Sequence, residues 1–422
     1  MLIKSLQVFF IRGFGAGAGF LVSFMVAHTL NVTEAGYFFL SLALISLIGT
    51  FITLGAPTLI IKLIGSEHDN SWIKINNGLN SFIFYSSLIG LFIVIFCYYY
   101  SISISRLFDK PELVNFIPTI AISALIFSLL QIIASSLQGR QEANIASLVQ
   151  NVTTPIFFIS VMGGSLFFNY SFTALDAIYI YSFGILSSLS LSFFLWFKDT
   201  RTKFFLKFRI DKNLATSMAP LFVVMIMTQI VQWSGQLATG RYLSVENVAY
   251  FSVAQRTALL ATFVLIAVNL IVAPKFANAF AKNNLAKVNE LALTSSKSML
   301  VIATPILIFM LVLPDFLMSL FGDNFIVAAP ILQILAIGQF INVISGSVGY
   351  LLNMTGHEKD FRNIVLISGP LALILAFILT KHFGLYGAAY ATAISVATQN
   401  LLAVWMVKKR LGFNPLNIFR TI

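Results

Sequence analysis

Apolar runs of roughly twenty residues recur from one end of this chain to the other, each long enough to cross about 30 Å of hydrocarbon as an α-helix. A backbone inside lipid must satisfy its own polar groups, which leaves helices or closed barrels. The ten-residue alternation of barrel strands is absent, so helices are required. Twelve spans are expected: 8–30, 36–61, 79–104, 114–138, 145–168, 173–197, 214–239, 248–274, 299–320, 326–353, 363–380 and 385–407. The composition agrees: 58% of the 422 residues are hydrophobic and only 10% charged, against about 25% charged in soluble domains. The fold class is therefore an all-α integral membrane protein.

The net charge of +11 raises the question of a nucleic-acid partner, and the position of the charges answers it. With an inside N-terminus, the N-terminal end (counting Arg12, about one turn inside span 1), the even-numbered loops and the C-terminal tail hold 21 of the 26 Lys and Arg. Arg106, Lys110, Arg241 and Lys381 fall in the odd-numbered loops, and Arg256 lies within a span. That bias predicts both termini in the cytoplasm and no nucleic-acid partner. The stretch "KDTRTKFFLKFRIDKN" at 198–213 reads as a basic cytoplasmic linker, and 408–422 as a basic cytoplasmic tail. The segment 275–298 reads as an interfacial amphipathic helix, with Phe276, Ala279, Phe280 and Val288 near one face. Lys4 and Arg12 precede an apolar run too long for a signal peptide, so retention of that run is expected.

The chain repeats itself. "AHTLNVTEAGYF" at 27–38 returns as "GRYLSVENVAYF" at 240–251, pairing Leu30, Val32, Tyr37 and Phe38 with Leu243, Val245, Tyr250 and Phe251. Ala56-Pro57 corresponds to Ala273-Pro274, Gly139 to Gly356, and Pro155 to Pro370. Each pair occupies the same place in its span. Six helices duplicated into twelve give two halves of the same orientation, 1–197 and 214–407, as in many transporters.

At these landmarks the chain resembles a known family. "VAHTLNVTEAGYF", "SSLQGRQEAN" after span 4 and "LLNMTGHEKD" after span 10 look like the Wzx oligosaccharide flippases of the multidrug, oligosaccharide-lipid and polysaccharide exporter superfamily. The resemblance implies two parallel-repeat six-helix lobes around a central cavity, with helices 1 and 7 bending as they open and close. It implies a cargo, an undecaprenyl-diphosphate-linked oligosaccharide for O-antigen, lipopolysaccharide or other surface polysaccharide, moved to the outer leaflet of the bacterial inner membrane. Other polysaccharide assembly proteins would be partners, with H+ or Na+ as a possible coupling ion. The family's Arg near the end of helix 1 is His28 here, whereas the repeat mate is Arg241.

An anionic, hydroxyl-rich headgroup needs cations and amides inside the bundle. Arg256 is the first candidate, because an Arg at depth is costly unless it faces water or a partner, and its fork suits phosphate. The alternative is an ion pair with Asp176 or Asp315. Arg12 could receive a diphosphate or snorkel to headgroups, and Arg140 reads as an anchor. Gln229, Gln232 and Gln236 share a face of span 7; Gln339, Asn342, Gly349 and Asn353 trace a line in span 10, and Gln131, Ser135 and Gln138 one in span 4. Asn269 in span 8 belongs with them. All could bind sugar hydroxyls or serve as interhelical hydrogen bonds of about 0.6–2 kcal/mol. Asp176 and Asp315, near the outer ends of spans 6 and 9, could titrate in an ion-coupled cycle or act as caps. Gly13, Gly15, Gly17 and Gly19 permit close packing or bending of span 1 and lack the context of a nucleotide loop.

No cofactor is expected. Cys97 stands alone, and His28, His68, His357 and His382 have no metal spacing. Two rival functions remain: an ion-coupled multidrug antiporter of the same superfamily, which would favour buried carboxylates, and a membrane polymerase or glycosyltransferase. The latter normally needs a sizeable outer loop, and the longest here is 105–113.

Overall fold

A computed structural model describes residues 2–66, 72–166, 171–199 and 212–417. Most of the basic linker, His68 and the last residues of the tail lie outside the described residues. Helices dominate, and among the described residues there is no strand. The chain forms two compact units, residues 1–229 and 230–422. The first contains α1 (Leu2–Thr29), α2 (Val32–Thr53), α3 (Ala56–Ser66), α4 (Trp72–Tyr99), α5 (Ser101–Leu107), α6 (Ile117–Gly139), α7 (Ala143–Asn151), α8 (Thr153–Leu166) and α9 (Ala174–Asp199). Helix α10 (Lys212–Tyr242) carries the division between the units within its length. The second holds α11 (Val245–Leu259), α12 (Phe263–Ala281), α13 (Leu285–Val312), α14 (Pro314–Ser319), α15 (Ala329–Ser345), α16 (Val348–Met354) and α17 (Glu358–Leu411).

Eleven described helices or helix pairs are long and apolar enough to cross a membrane, and α17 contains two spans joined at Gly384, whose φ of 60° and ψ of −139° interrupt the helix. The protein is thus a multi-pass membrane protein. Apolar side chains cover its outside, with Tyr98, Tyr99 and Tyr100 exposed together at the end of α4, as aromatic residues are at a membrane–water interface.

The duplicated sequence is a duplicated backbone. Asn31 before α2 has φ −68° and ψ 165°; Ser244 before α11 has φ −65° and ψ 163°. Asn31 Oδ1 accepts the Glu34 amide at 2.8 Å, an N-cap of the usual kind. Both following helices bury the phenylalanine of the repeat, Phe38 and Phe251, completely. Each half also turns between its third and fourth spans through a short helix and a 3-10 turn, α5 with Pro111–Asn115 and α14 with Asp323–Ala328.

Several spans are broken, and each break has a local cause. Leu54 and Gly55 separate α2 from α3 with φ of 48° and 83°. Gly55 lies against α10: a Cβ there would sit 2.8 Å from the Phe222 nitrogen and 3.1 Å from the Met218 carbonyl. The same stretch of α10 stacks Phe222 edge-on to Phe51 at 5.4 Å and brings Gln229 Nε2 to Thr50 Oγ1 at 3.0 Å. Gly346, with φ 71°, separates α15 from α16.

Two expectations are corrected and a third is narrowed. The segment 275–298 is not one interfacial helix: it is the end of α12 and the start of α13, divided at Lys282–Asn284, where Asn284 caps Lys287. Its apolar face is covered by protein, because Phe276 and Val288 are buried with Val348, Leu351 and Val407. The ninth span runs over Leu285–Val312 rather than 299–320, since Pro314 opens a new helix. Of the four glycines in α1, only Gly15 is packed tightly, 2.7 Å from the Asn151 carbonyl by its would-be Cβ; Gly13, Gly17 and Gly19 face open space.

At the far end of α17, Arg410 holds Asp360 with two hydrogen bonds of 2.7 and 2.9 Å, tying the start of one span to the end of the next. The bond from Arg410 pushes the Asp360 carboxyl below its ordinary value, so this pair adds stability above about pH 4 and loses it as pH falls below that. Asp360→Asn should therefore lower the melting temperature of solubilised protein slightly at pH 7, and the difference from wild type should vanish in acid. A gap that widened on acidification would contradict this.

Candidate functional site

Helices α10 and α11 meet through the two-residue turn Leu243-Ser244, so distances along them can be counted from a shared end. Gln232 lies ten residues before the end of α10, about 15 Å along, and Arg256 eleven residues after the start of α11, about 17 Å along. Both are near the middle of a span. Because α11 begins at Val245, earlier than the sequence suggests, Arg256 is deeper than expected. It is half-buried. Immediately beyond it α11 ends, and Leu260–Thr262 form a 3-10 turn before α12, a tightening often found at functional sites. The Thr262 hydroxyl donates to the Leu259 carbonyl at 2.6 Å, satisfying one group that the break would orphan.

Three amides of α10 occupy three environments. Gln229 donates to Thr50 within the first unit, Gln232 is exposed, and Gln236 is buried at 1% exposure. Gln232 also receives a bond on its backbone: Gln255 Nε2 donates to its carbonyl at 3.0 Å, from the residue beside Arg256. Asn269, farther along α12, is buried and its Oδ1 has no donor among the described residues. On α15, which packs against α11 and the 3-10 turn, Asn342 Nδ2 donates to Gln339 Oε1 at 3.0 Å. The second unit therefore gathers Gln232, Gln255 and Arg256 at one depth, with Gln339 and Asn342 on the adjoining helix.

Most of the remaining candidates are engaged elsewhere. Arg12 Nε donates to Ser147 Oγ on α7 at 3.3 Å. Arg140 pairs with Glu142 at 3.2 Å and lies 5.5 Å from the centroid of the buried Trp196 ring, while its Nη1 is buried with no partner among the described residues. Gln131 accepts from Gln150 at 3.3 Å, an interhelical bond. Asp176 forms a capping box with Thr173: its carboxylate accepts the Thr173 amide at 3.0 Å while the Thr173 hydroxyl accepts the Asp176 amide. Glu34 caps the same helix end through the Ala174 amide. Asp315 is exposed in the first turn of α14.

A family model described as polysaccharide biosynthesis protein matches residues 4–280, about two thirds of the chain. The chain belongs to that family. A second model, MatE, matches residues 220–378 and so covers the Arg256 region. This polysaccharide biosynthesis family member is 26% identical over 406 residues to the probable low-salt glycan biosynthesis flippase Agl15 of Haloferax volcanii, covering 94% of this chain and 82% of that one. Its fold matches the lipid II flippase MurJ in an inward closed conformation, at a TM-score of 0.78 and 20% identity over 97% of this chain and 88% of that one. It also matches an inward-facing multidrug resistance MATE family transporter of the MOP superfamily, at 0.75 and 15%, over 97% and 98%. The fold is that of MOP-superfamily transporters.

Gln255 belongs to none of the polar stripes in the sequence of this family member. An amide within an apolar span is its signal in the sequence, and the folded pairing with Gln232 distinguishes it from its neighbours.

Proposed function

We propose that this protein is a flippase for a polyprenyl-diphosphate-linked oligosaccharide, taking the headgroup from the cytoplasmic to the outer leaflet by alternating access for surface polysaccharide synthesis. In a bacterial inner membrane the cargo is an undecaprenyl-diphosphate repeat unit, such as that of O-antigen. The observation that carries the reading is a guanidinium and an exposed amide, Arg256 and Gln232, at the same depth near the middle of adjoining spans. An amide exposed at that depth is stable only against water or a polar cargo, and Arg offers a bidentate fork for phosphate. The flippase named among its relatives handles a glycan, which supports the same class of cargo.

A multidrug antiporter fits less well. Cationic cargo calls for carboxylates at depth, whereas Asp176 serves in a capping box and Asp315 is exposed in the first turn of a short helix; the capping bonds favour a structural role over ion coupling for Asp176. A polymerase or glycosyltransferase fits poorly too, because the connection between α4 and α6 is taken up by a seven-residue helix and a five-residue 3-10 turn. The test is the leaflet that holds the lipid-linked oligosaccharide in cells lacking the gene. Accumulation on the cytoplasmic side with no polymer outside is expected. Normal arrival at the outer face would refute the proposal, and accumulation of single repeat units outside would indicate a polymerase.

A further inference from the structure

We infer that Gln255 is a positioning residue for the diphosphate site, holding Arg256 and Gln232 in register through its bond to the Gln232 carbonyl. This deepens the reading of Arg256 as a phosphate-binding group and rests on it. Gln255 is 7% exposed, so its amide belongs to the interior, and its Nε2 reaches a carbonyl of the neighbouring helix at 3.0 Å. That carbonyl already lies in the helical hydrogen-bonding ladder of α10, so the bond is a second one. Its effect is to lock α11 against α10 at one height and one rotation.

The rotation matters because consecutive residues on a helix point about 100° apart. With Gln255 directed at α10, the Arg256 side chain is turned to the flank of that contact and remains half-buried. The residue that receives the bond on its backbone presents its own amide outward, since the Gln232 side chain is exposed. One hydrogen bond thus sets the height and heading of both polar groups. The tie lies five residues before Leu260–Thr262 tighten into the 3-10 turn, so it fixes α11 close to where the helix breaks.

The phosphate probe is farnesyl diphosphate, a short soluble polyprenyl diphosphate, titrated against the full-length protein in nanodiscs. Tryptophan fluorescence reports binding, since Trp233 adjoins Gln232. Gln255→Leu keeps the side chain's bulk and removes the donor. It should weaken binding about tenfold, within the range of coupling energies for residues acting as a unit, while the melting temperature stays near that of wild type. In an Arg256→Ala background the same change should have no further effect, because there is no guanidinium left to position. Equal losses in both backgrounds would mean that Gln255 merely supports the fold, and no loss in either would mean that its bond is dispensable; each overturns the inference. If Gln255→Leu does not fold, Gln255→Glu is compared at neutral pH, where the carboxylate cannot donate, and in acid, where it can. Affinity relative to wild type should recover on acidification, and a failure to recover overturns the inference. Unchanged binding by Arg256→Ala alone would instead sink the proposed function and leave the Gln255 contact as a structural tie.

Discussion

Alanine at position 387 should leave almost no folded protein in the membrane. The two spans of α17 reverse at Gly384 with scarcely any connecting chain, and Gly387 is pressed against the carbonyl of Leu379 across the reversal. A methyl group there would overlap a backbone oxygen, which cannot swing aside as a side-chain tip can. Overpacking of this kind costs about 3 kcal/mol or more. The same substitution at Gly13 or Gly17 supplies the control, since both lie within α1 and nothing stands within 4 Å of a Cβ there. Alanine at those positions should be neutral or stabilising by about 0.5–1 kcal/mol, because it restricts the unfolded chain. Fluorescence-detected size exclusion of tagged variants, followed by thermal melts, compares the three directly. An intact monodisperse peak for Gly387→Ala would show that the hairpin is looser than its backbone implies.

Loss of the Arg256 guanidinium should reduce transport of a lipid-linked diphosphate by about a hundredfold while the protein stays at normal abundance. Removing one partner of a desolvated, hydrogen-bonded charge pair typically costs about 2–5 kcal/mol, and 2.7 kcal/mol is roughly a hundredfold. Arg256→Lys should recover part of the activity, because lysine keeps the charge and loses the fork. Arg140→Ala is the contrasting case: its guanidinium contacts Glu142 and Trp196 in the first unit, so it should lower stability with transport per folded molecule unchanged. Surface glycan in a deletion strain carrying each variant, normalised to membrane protein, separates the two outcomes. Equal deficits for Arg140→Ala and Arg256→Ala would deny Arg256 a special role.

Much of the architecture follows from one-dimensional information. Hydrocarbon sets the length of a span and forbids unpaired backbone, so apolar runs translate into helices with little freedom. The duplication was legible because Asn31 and Ser244 begin helices with nearly the same backbone angles, and identical turns demand similar residues. Helix ends were less legible. The start of α13 depends on Asn284 capping a polar first turn, and hydropathy does not register a polar turn that buries Val288 against distant helices.

Side-chain roles were the least determined by order along the chain. Gln229, Gln232 and Gln236 share a helical face, yet one bonds to α2, one is exposed and one is buried, because a helix face is partitioned by what packs on it. Asp176 and Asp315 both lie near the ends of apolar runs in the sequence, yet Asp176 shares capping hydrogen bonds with Thr173, while Asp315 is exposed in the first turn of α14. The number of spans, the twofold repetition and the presence of a deep arginine belong to the sequence, since they depend only on hydrophobicity and spacing. That Gln255 meets Gln232, that Gly387 meets Leu379, and that Gly15 alone of its stripe touches a neighbour were decided by tertiary structure, because each depends on the height and rotation of one helix against another.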